Sequence, residues 1–522
     1  MNNYHCYFEY LKADGAELFT VICVPDKKGK FPTTIYRTPY VDSERDLSEE
    51  EIVESWLKDH KGWLDSGYVS VYQHCRGTGK STGDCIPYVN ERKDGLLLQS
   101  WIRKQPFYNG EIFVSGGSYT STVHYATAPF APDIKGAVLA IQDCNRYRCT
   151  YRNGIFKSGL RMNWQNDMYK KNSIPKDKKP FNLDWCRTLP FAGISEKMFG
   201  ERNESFEELL LHPDKNDTFW QNGEFAGAYS SEFTKTVDIP VLFVTGLYDF
   251  YIGGVFEMWK ELKPEIRAKS AVIIHPYAHR IAGKDIPIEF PDGALNEHFA
   301  GHIGQWFKYC RGLGEPPVET GKITYYKMFG GWATDDFSTP ANSMIFTLGN
   351  ETKTYLYNPF APASFKGGLS NGFGNTDWQD KPNSRQDIIS VYTDEFKVDT
   401  FIKGKMKGKL RVKSDCEDTC FYMRVSLCKK EGDLGLRDDI TMISNFCDNY
   451  KPNDEIDIDF SFDEHAFIVK KGEKIRVDIS SSCFPTFLIH TNIKGNQALI
   501  DKAKIARNTV DLGKSQLTVY FE

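Results

Sequence analysis

The stretch "EIFVSGGSYTST", residues 111–122, is the one on which the reading of this chain turns. Ile112, Phe113 and Val114 form an apolar run, Gly116 and Gly117 interrupt it, and Ser118 stands before a helix-compatible segment. Two readings fit. One is an ordinary glycine turn that happens to hold a serine. In the other, a strand ends in a sharp turn that presents the Ser118 hydroxyl as a nucleophile. Such an elbow strains the backbone of the nucleophile, so its neighbours have to be small, and Gly116 satisfies that demand. "GGS" alone leaves both readings open, and the surrounding chain has to decide.

Upstream, "ELFTVICV" (17–24), residues 33–36 and "YVSVY" (68–72) read as strands, and the helical spacing of Ile52, Val53, Trp56 and Leu57 reads as a helix closed by Gly67. A second helix is expected over 94–104, opened by Asp94 and ended by Pro106 and the Asn109-Gly110 turn. After Ser118 come a helix and the apolar strand "IKGAVLAIQ" (134–142). This alternation predicts a parallel sheet with helices on both faces. Residues 145–235 break the rhythm. They are polar, basic in places and carry the isolated Trp164, Trp185 and Trp220, which predicts a mostly helical insertion. The alternation resumes at "IPVLFVTGLYD" (239–249) and "SAVIIHPYAH" (270–279). A helix is expected from about 295 to 310, with Phe299, Ile303, Trp306, Phe307 and Cys310 on its apolar face. From about 322 onward, runs such as "KITYYKMF" and "CFYMRVSLC" predict many short strands, hence a β-sandwich of jelly-roll type.

Composition narrows the class. A chain of 522 residues exceeds a single core, which stops growing near ~250–300 residues, so two or three domains are expected. A net charge of −5 with scattered lysines and arginines argues against a nucleic-acid partner, and Lys176-Asp177-Lys178-Lys179 reads as a solvated loop. The first residues, "MNNYHCYFEYLKADG", do not read as a signal peptide, and no run of 18 apolar residues predicts a membrane span. The 13 cysteines show no paired pattern: Cys416/Cys420 and Cys144/Cys149 each lack a matching second pair, which argues against zinc. Buried reduced thiols in a cytoplasmic protein are expected. His298 and His302 share a helix face without an acidic third ligand and read as packing or surface residues, so no metal and no cofactor is expected.

A hydrolase built on such a sheet needs a nucleophile, a histidine base and a carboxylate that orients the base, in the chain order Ser, Asp, His at successive strand ends. Asp249 follows "VLFVTGLY" and is placed to accept a hydrogen bond from a histidine ring, although an aspartate there could instead cap the next helix. His279 follows "AVIIHPYA"; His275, at the end of the strand itself, is its rival and reads as structural. Taken together, the three residues favour the elbow over the plain turn.

At this point the chain resembles the cocaine-esterase-like and X-Pro dipeptidyl-peptidase-like serine hydrolases of the CocE/NonD type. "YRTPY" (36–40), "GYVSVYQHCRGTGKSTG" (67–83), "DGLLLQSWIRKQPFYNG" (94–110), "GGSYTS" (116–121), "LLHPDKNDTFW" (210–220), "GLYD" (246–249), "HPYAH" (275–279) and "KIRVDISSSCFP" (474–485) are each similar to a segment of that family. The resemblance implies an α/β fold: an α/β-hydrolase core over 1–144 and 236–318, a helical cap over 145–235 and a jelly-roll β-sandwich over 319–522, with the active site between all three. It implies that Ser118 attacks an ester or amide carbonyl, that His279 carries the proton and that Asp249 orients His279. It also implies an oxyanion hole from the Tyr119 N–H and the Tyr40 hydroxyl. The substrate would be a small ester, an amide or a short peptide. An esterase of the cocaine-esterase type is favoured over an X-Pro dipeptidyl aminopeptidase, an α-amino-acid ester hydrolase or acylase, and a catalytically silent binding protein. The sequence departs from the family at three places: Ser121 stands for a glycine, His74 for an aspartate, and Phe250-Tyr251-Ile252 for the acidic residues that hold a substrate ammonium in some relatives.

Overall fold

Apolar runs without alternation form the middle of one sheet, because a parallel sheet has to be covered on both faces. The computed structural model describes residues 4–174, 181–223, 225–280, 286–290, 299–368 and 375–522; the sequence readings of His298 and of residues 176–179 lie outside these. In chain order the strands of the first part are β1 (Tyr4–Ala13), β2 (Ala16–Pro25), β3 (Phe31–Thr38), β4 (Val69–His74), β5 (Tyr108–Gly117), β6 (Ile134–Ala140), β7 (Tyr151–Arg152), β8 (Ile155–Phe156), β9 (Val241–Gly246), β10 (Ala271–His275), β11 (Ile323–Lys327) and β12 (Gly331–Asp335). All but β7 and β8 join one sheet in the order β1-β2-β4-β3-β5-β6-β9-β10-β11-β12. The pairs from β4 through β11 are parallel, with antiparallel strands at both edges. β4, β9 and β10 are buried at every position.

Helix α1 (Glu49–Asp65) opens with a capping box between Ser48 and Glu51 and buries Ile52, Val53, Trp56 and Leu64. Helix α2 spans Glu91–Ile102 and so starts before the expected Asp94. Asp94 does not cap it. Its carboxylate takes the Arg76 guanidinium at 2.6 and 3.0 Å, while Glu91 pairs with Arg37 at 3.0 Å. Both acids turn inward to pair with arginines, the buried Arg37 and the partly buried Arg76.

The boundary expected at 318 is corrected. β11 continues the parallel sheet beside β10, and β12 closes that edge, so residues 323–335 hydrogen-bond into the first sheet. A β-rich segment beside a buried parallel edge is drawn into that ladder, whatever domain its composition resembles. Residues 145–235 add no strand to the sheet. They hold helices α4 (Arg146–Thr150) and α5 (Ser158–Met168), the β7–β8 pair and further short helices around Phe156, Met162, Phe206 and Trp220.

The remainder is an antiparallel jelly-roll β-sandwich. A seven-stranded sheet is organised on the long strand Ala506–Phe521, and a four-stranded sheet is built on Cys420–Cys428 and Lys474–Ser480. The sandwich also grips the inserted segment. Arg152 reaches Asp439 and Asp463 at 2.7 and 2.9 Å, and the Pro485 carbonyl accepts from Gly159 N–H and Ser158 Oγ–H at 2.8 and 2.9 Å.

One expectation about thiols is corrected. Cys6 and Cys23 stand directly opposite in the β1–β2 register and are joined as a disulfide; the other described cysteines are free. Opposed residues of an antiparallel pair bring the side chains close enough for this. Among the described residues, no helix is long and apolar enough to cross a membrane, and no group of three His, Cys, Asp or Glu side chains is placed to hold a metal ion.

Candidate active site

β5 runs into the elbow and helix α3 (Tyr119–Tyr125) runs out of it. Ser118 at the bend has φ 57° and ψ −127°, in the positive-φ region that a residue with a side chain adopts only when its surroundings impose it. The surroundings are tight. A Cβ on Gly116 would lie 2.2 Å from the Thr120 carbonyl oxygen, so only glycine fits there. Ser118 N–H donates to the Ala140 carbonyl at 2.9 Å, which ties the turn to β6. Ser121 adds to that tie: its hydroxyl lies 2.7 Å from the Gly116 carbonyl and accepts from Ala140 N–H at 3.0 Å. The departure from glycine therefore fills a small buried space with a cross-link between the ends of β5 and β6.

Asp249 follows β9, and His279 lies beyond β10. A Cβ on Gly246, the residue that ends β9, would lie 2.2 Å from the Tyr277 carbonyl oxygen, so the two loops pass in close contact. Asp249 is 0% exposed. Its Oδ2 accepts from the Thr245 hydroxyl at 2.8 Å and its Oδ1 lies 2.9 Å from His279 Nδ1. His279 Nε2 lies 3.1 Å from Ser118 Oγ. Phe250 stacks on the imidazole at 4.5 Å between centroids, which fixes the ring plane. Asp249 thus serves the histidine, and it also accepts weakly from Tyr251 N–H at 3.3 Å, just before the helix Ile252–Glu261. His275 is fully buried at the end of β10 with no hydrogen bond on either ring nitrogen. Burial first, and His302 second, hold its pKa down to about 3, so it packs as a neutral ring.

Tyr40 leaves 43% of its surface exposed, yet its hydroxyl points inward, against Ser118 and the Trp164 indole N–H at 3.3 Å. Burial of that hydroxyl, and next the neighbouring Tyr88, push its pKa up to about 12, so it stays a protonated donor. The Tyr119 ring is buried and anchored. Its hydroxyl donates to Glu91 at 2.8 Å and accepts from Tyr88 N–H at 2.9 Å. As the first helical residue, Tyr119 has an N–H with no partner inside its own helix.

The cavity over Ser118 is lined by Tyr40, Tyr88, Gln142, Leu160, Arg161, Trp164, Phe250, Tyr251 and His279, and its volume is about 20 Å³, room for roughly one water. Among the described residues no sandwich side chain lines it, so the expectation of a site between all three parts is corrected. The sandwich lines a separate, larger cleft of about 1330 Å³, which Phe250 and Tyr251 divide from the serine cavity. The reason is the position of α5, which lies across Ser118 and is backed by Pro485, keeping the sandwich one layer away.

His74, the other departure, is buried under the loop. Lys80 N–H donates to its Nδ1 at 3.1 Å, so the proton sits on Nε2, which donates to Glu44 at 2.9 Å. Glu91, Arg146 and Arg161 were not singled out by the sequence. The available signal for Glu91 was its place one turn before Asp94 on a helix that follows the loop carrying Arg76.

Residues 14–280 match the family model for X-Pro dipeptidyl-peptidase (S15 family), and residues 334–517 match the X-Pro dipeptidyl-peptidase C-terminal non-catalytic domain. The chain is 22% identical over 550 aligned positions to cocaine esterase of Rhodococcus sp. (strain MB1 Bresler), covering 92% of this chain and 91% of the relative. Its fold is similar to that of an aminopeptidase from the marine sediment archaeon Thaumarchaeota archaeon (TM-score 0.82, 17% identity, 99% and 96% of the two chains). It is equally similar to an α-amino acid ester hydrolase (TM-score 0.82, 16% identity, 100% and 97%). With the family match spanning β2 through β10 and the residues Ser118, Asp249 and His279, the chain belongs to the X-Pro dipeptidyl-peptidase (S15) family and is a serine hydrolase.

Proposed function

We propose that this chain is an esterase that also accepts activated amides, working through an acyl intermediate on Ser118. The carrying observation is the unbroken hydrogen-bond series Thr245–Asp249–His279–Ser118. Ser118 Oγ attacks the carbonyl carbon as its proton passes to His279 Nε2. The charge left on the carbonyl oxygen is received by Tyr119 N–H and the Tyr40 hydroxyl. The tetrahedral adduct collapses, the bond to the leaving group breaks, and the leaving oxygen or nitrogen takes the proton from His279. Water, deprotonated by the same ring, then attacks the acyl-serine and frees the acid and Ser118. Asp249 keeps Nδ1–H directed and stabilises the imidazolium in both halves.

The lining supports the esterase reading over an aminopeptidase one. A free α-ammonium needs a carboxylate to hold it, and the residues around Ser118 supply none while supplying the Arg161 guanidinium. Because the cavity is small, any substrate larger than a few atoms has to displace side chains of α5 on entry. A fluorophosphonate probe tests the proposal: covalent labelling of Ser118, lost in Ser118→Ala, is expected. Turnover of a dipeptidyl-proline amide in preference to a nitrophenyl acyl ester would overturn the esterase assignment.

A further inference from the structure

Two arginines of the inserted segment lie deep beside the serine cavity without the partners that buried arginines require. Arg161 is 5% exposed and Arg146 is 2% exposed. Arg161 donates through Nε to the Cys149 carbonyl at 3.0 Å and through Nη1 to the Tyr88 hydroxyl at 3.5 Å, but its Nη2 has no hydrogen-bond partner. The Arg146 guanidinium stacks 3.8 Å above the Tyr88 ring, and its Nη1 has no partner either. Tyr88 and Arg161 form the wall between the serine cavity and a second small cavity, which Arg146 also lines.

Among the described residues no carboxylate forms an ion pair with Arg146 or Arg161. The nearby acids are spoken for: Asp143 is held by Arg148 at 2.7 and 2.9 Å, and Glu91 by Arg37 at 3.0 Å. Lys157, also buried, adds a cationic group whose ammonium donates to the Arg148 carbonyl at 2.8 Å. An uncompensated buried guanidinium is expensive, and two on one wall repel each other. Such a wall is stable in use when an anion completes it, and a guanidinium with a free edge is the geometry that takes a carboxylate.

We infer that Arg161, backed by Arg146, forms an anion subsite for a carboxylate carried by the substrate, so that the natural ester or amide is acidic. This rests on the hydrolase reading of Ser118 above. It inverts the charge of the pocket expected for a substrate ammonium, and it assigns to the inserted segment the choice of substrate.

The test compares two matched pairs of esters. On the acyl side, the 4-nitrophenyl monoester of adipic acid is set against its monoamide isostere. On the leaving-group side, 4-carboxyphenyl acetate is set against 4-carbamoylphenyl acetate. In the wild type, one pair is expected to show a kcat/KM ratio of about 10 to 100 in favour of the carboxylate, from charge-assisted hydrogen bonds. That pair identifies which end of the substrate reaches Arg161. In Arg161→Gln the ratio falls towards one, carried mainly by KM, and in Arg161→Lys part of it returns. No preference in either pair, in enzyme that fluorophosphonate labels at Ser118, overturns the subsite, as does a ratio that survives Arg161→Gln. Absence of labelling overturns the hydrolase reading first, and the subsite falls with it.

Discussion

The two walls of the serine cavity are built on opposite terms. On the wall formed by the sheet, the catalytic side chains are answered in series: Thr245 donates to Asp249, Asp249 faces His279, His279 faces Ser118, and Ser121 cross-links the strand ends beneath. On the side formed by the inserted segment, Arg161 lines the cavity with Arg146 behind it, and each keeps a buried nitrogen without a partner. Low dielectric makes both arrangements strong, in opposite senses. A satisfied series holds its geometry before substrate arrives, and an unsatisfied cation waits for a group that none of the described residues supplies. The difference separates chemistry from selection: one wall is complete without substrate and the other is completed by it.

Breaking the satisfied wall should be costly in rate and cheap in fold. Asp249→Asn keeps the shape but leaves Nδ1 of His279 without a charged acceptor and favours the wrong tautomer. A fall in kcat of about 10⁴ is expected, with far-ultraviolet circular dichroism unchanged. A fall below tenfold would show that Asp249 is not the orienting carboxylate. Tyr40→Phe removes one hydroxyl donor and leaves the ring packed, so kcat should fall about 10²–10³ with KM nearly constant. If KM rises instead and kcat holds, Tyr40 belongs to substrate binding and the Tyr119 N–H stands without it.

The same division governs what could be read from the sequence. Ser118, Asp249 and His279 each follow an apolar strand, and strand ends are legible because an uninterrupted apolar run is a local signal. The parallel sheet and the β-rich remainder were legible for the same reason. Arg146 and Arg161 were not. Their significance is an absence of partners, and partners come from chain far away. Glu91 was hidden likewise, since its role depends on Arg37 and Tyr119 meeting it across the fold. The boundary at 318 failed because β11 is a good strand in either sheet; only the vacant edge of β10 decides which ladder it joins.

Ser121 offers the finest probe of the sheet-side wall, because there the departure from the family's glycine can be separated from catalysis. Its hydroxyl is buried, lies 2.7 and 3.0 Å from the carbonyls of Gly116 and Ala140, and is the acceptor for Ala140 N–H. Ser121→Ala keeps nearly the same volume but removes the hydroxyl's bonds to the Gly116 carbonyl and the Ala140 N–H, while Ala140 stays in the β5–β6 ladder, so the cost is about 0.5–1.5 kcal/mol. Chemical denaturation should show that loss, while kcat/KM changes less than the Tyr40 variant because Ser118 remains tied to Ala140 through its own N–H. Ser121→Gly should lose more, since the cavity is added to the missing bond and the glycine gains freedom in the unfolded chain. The order Ser, Ala, Gly in stability, with activity little changed, would mean that the serine is a brace for the elbow. A large loss of activity in Ser121→Ala without loss of stability would instead bring Ser121 into the positioning of Ser118.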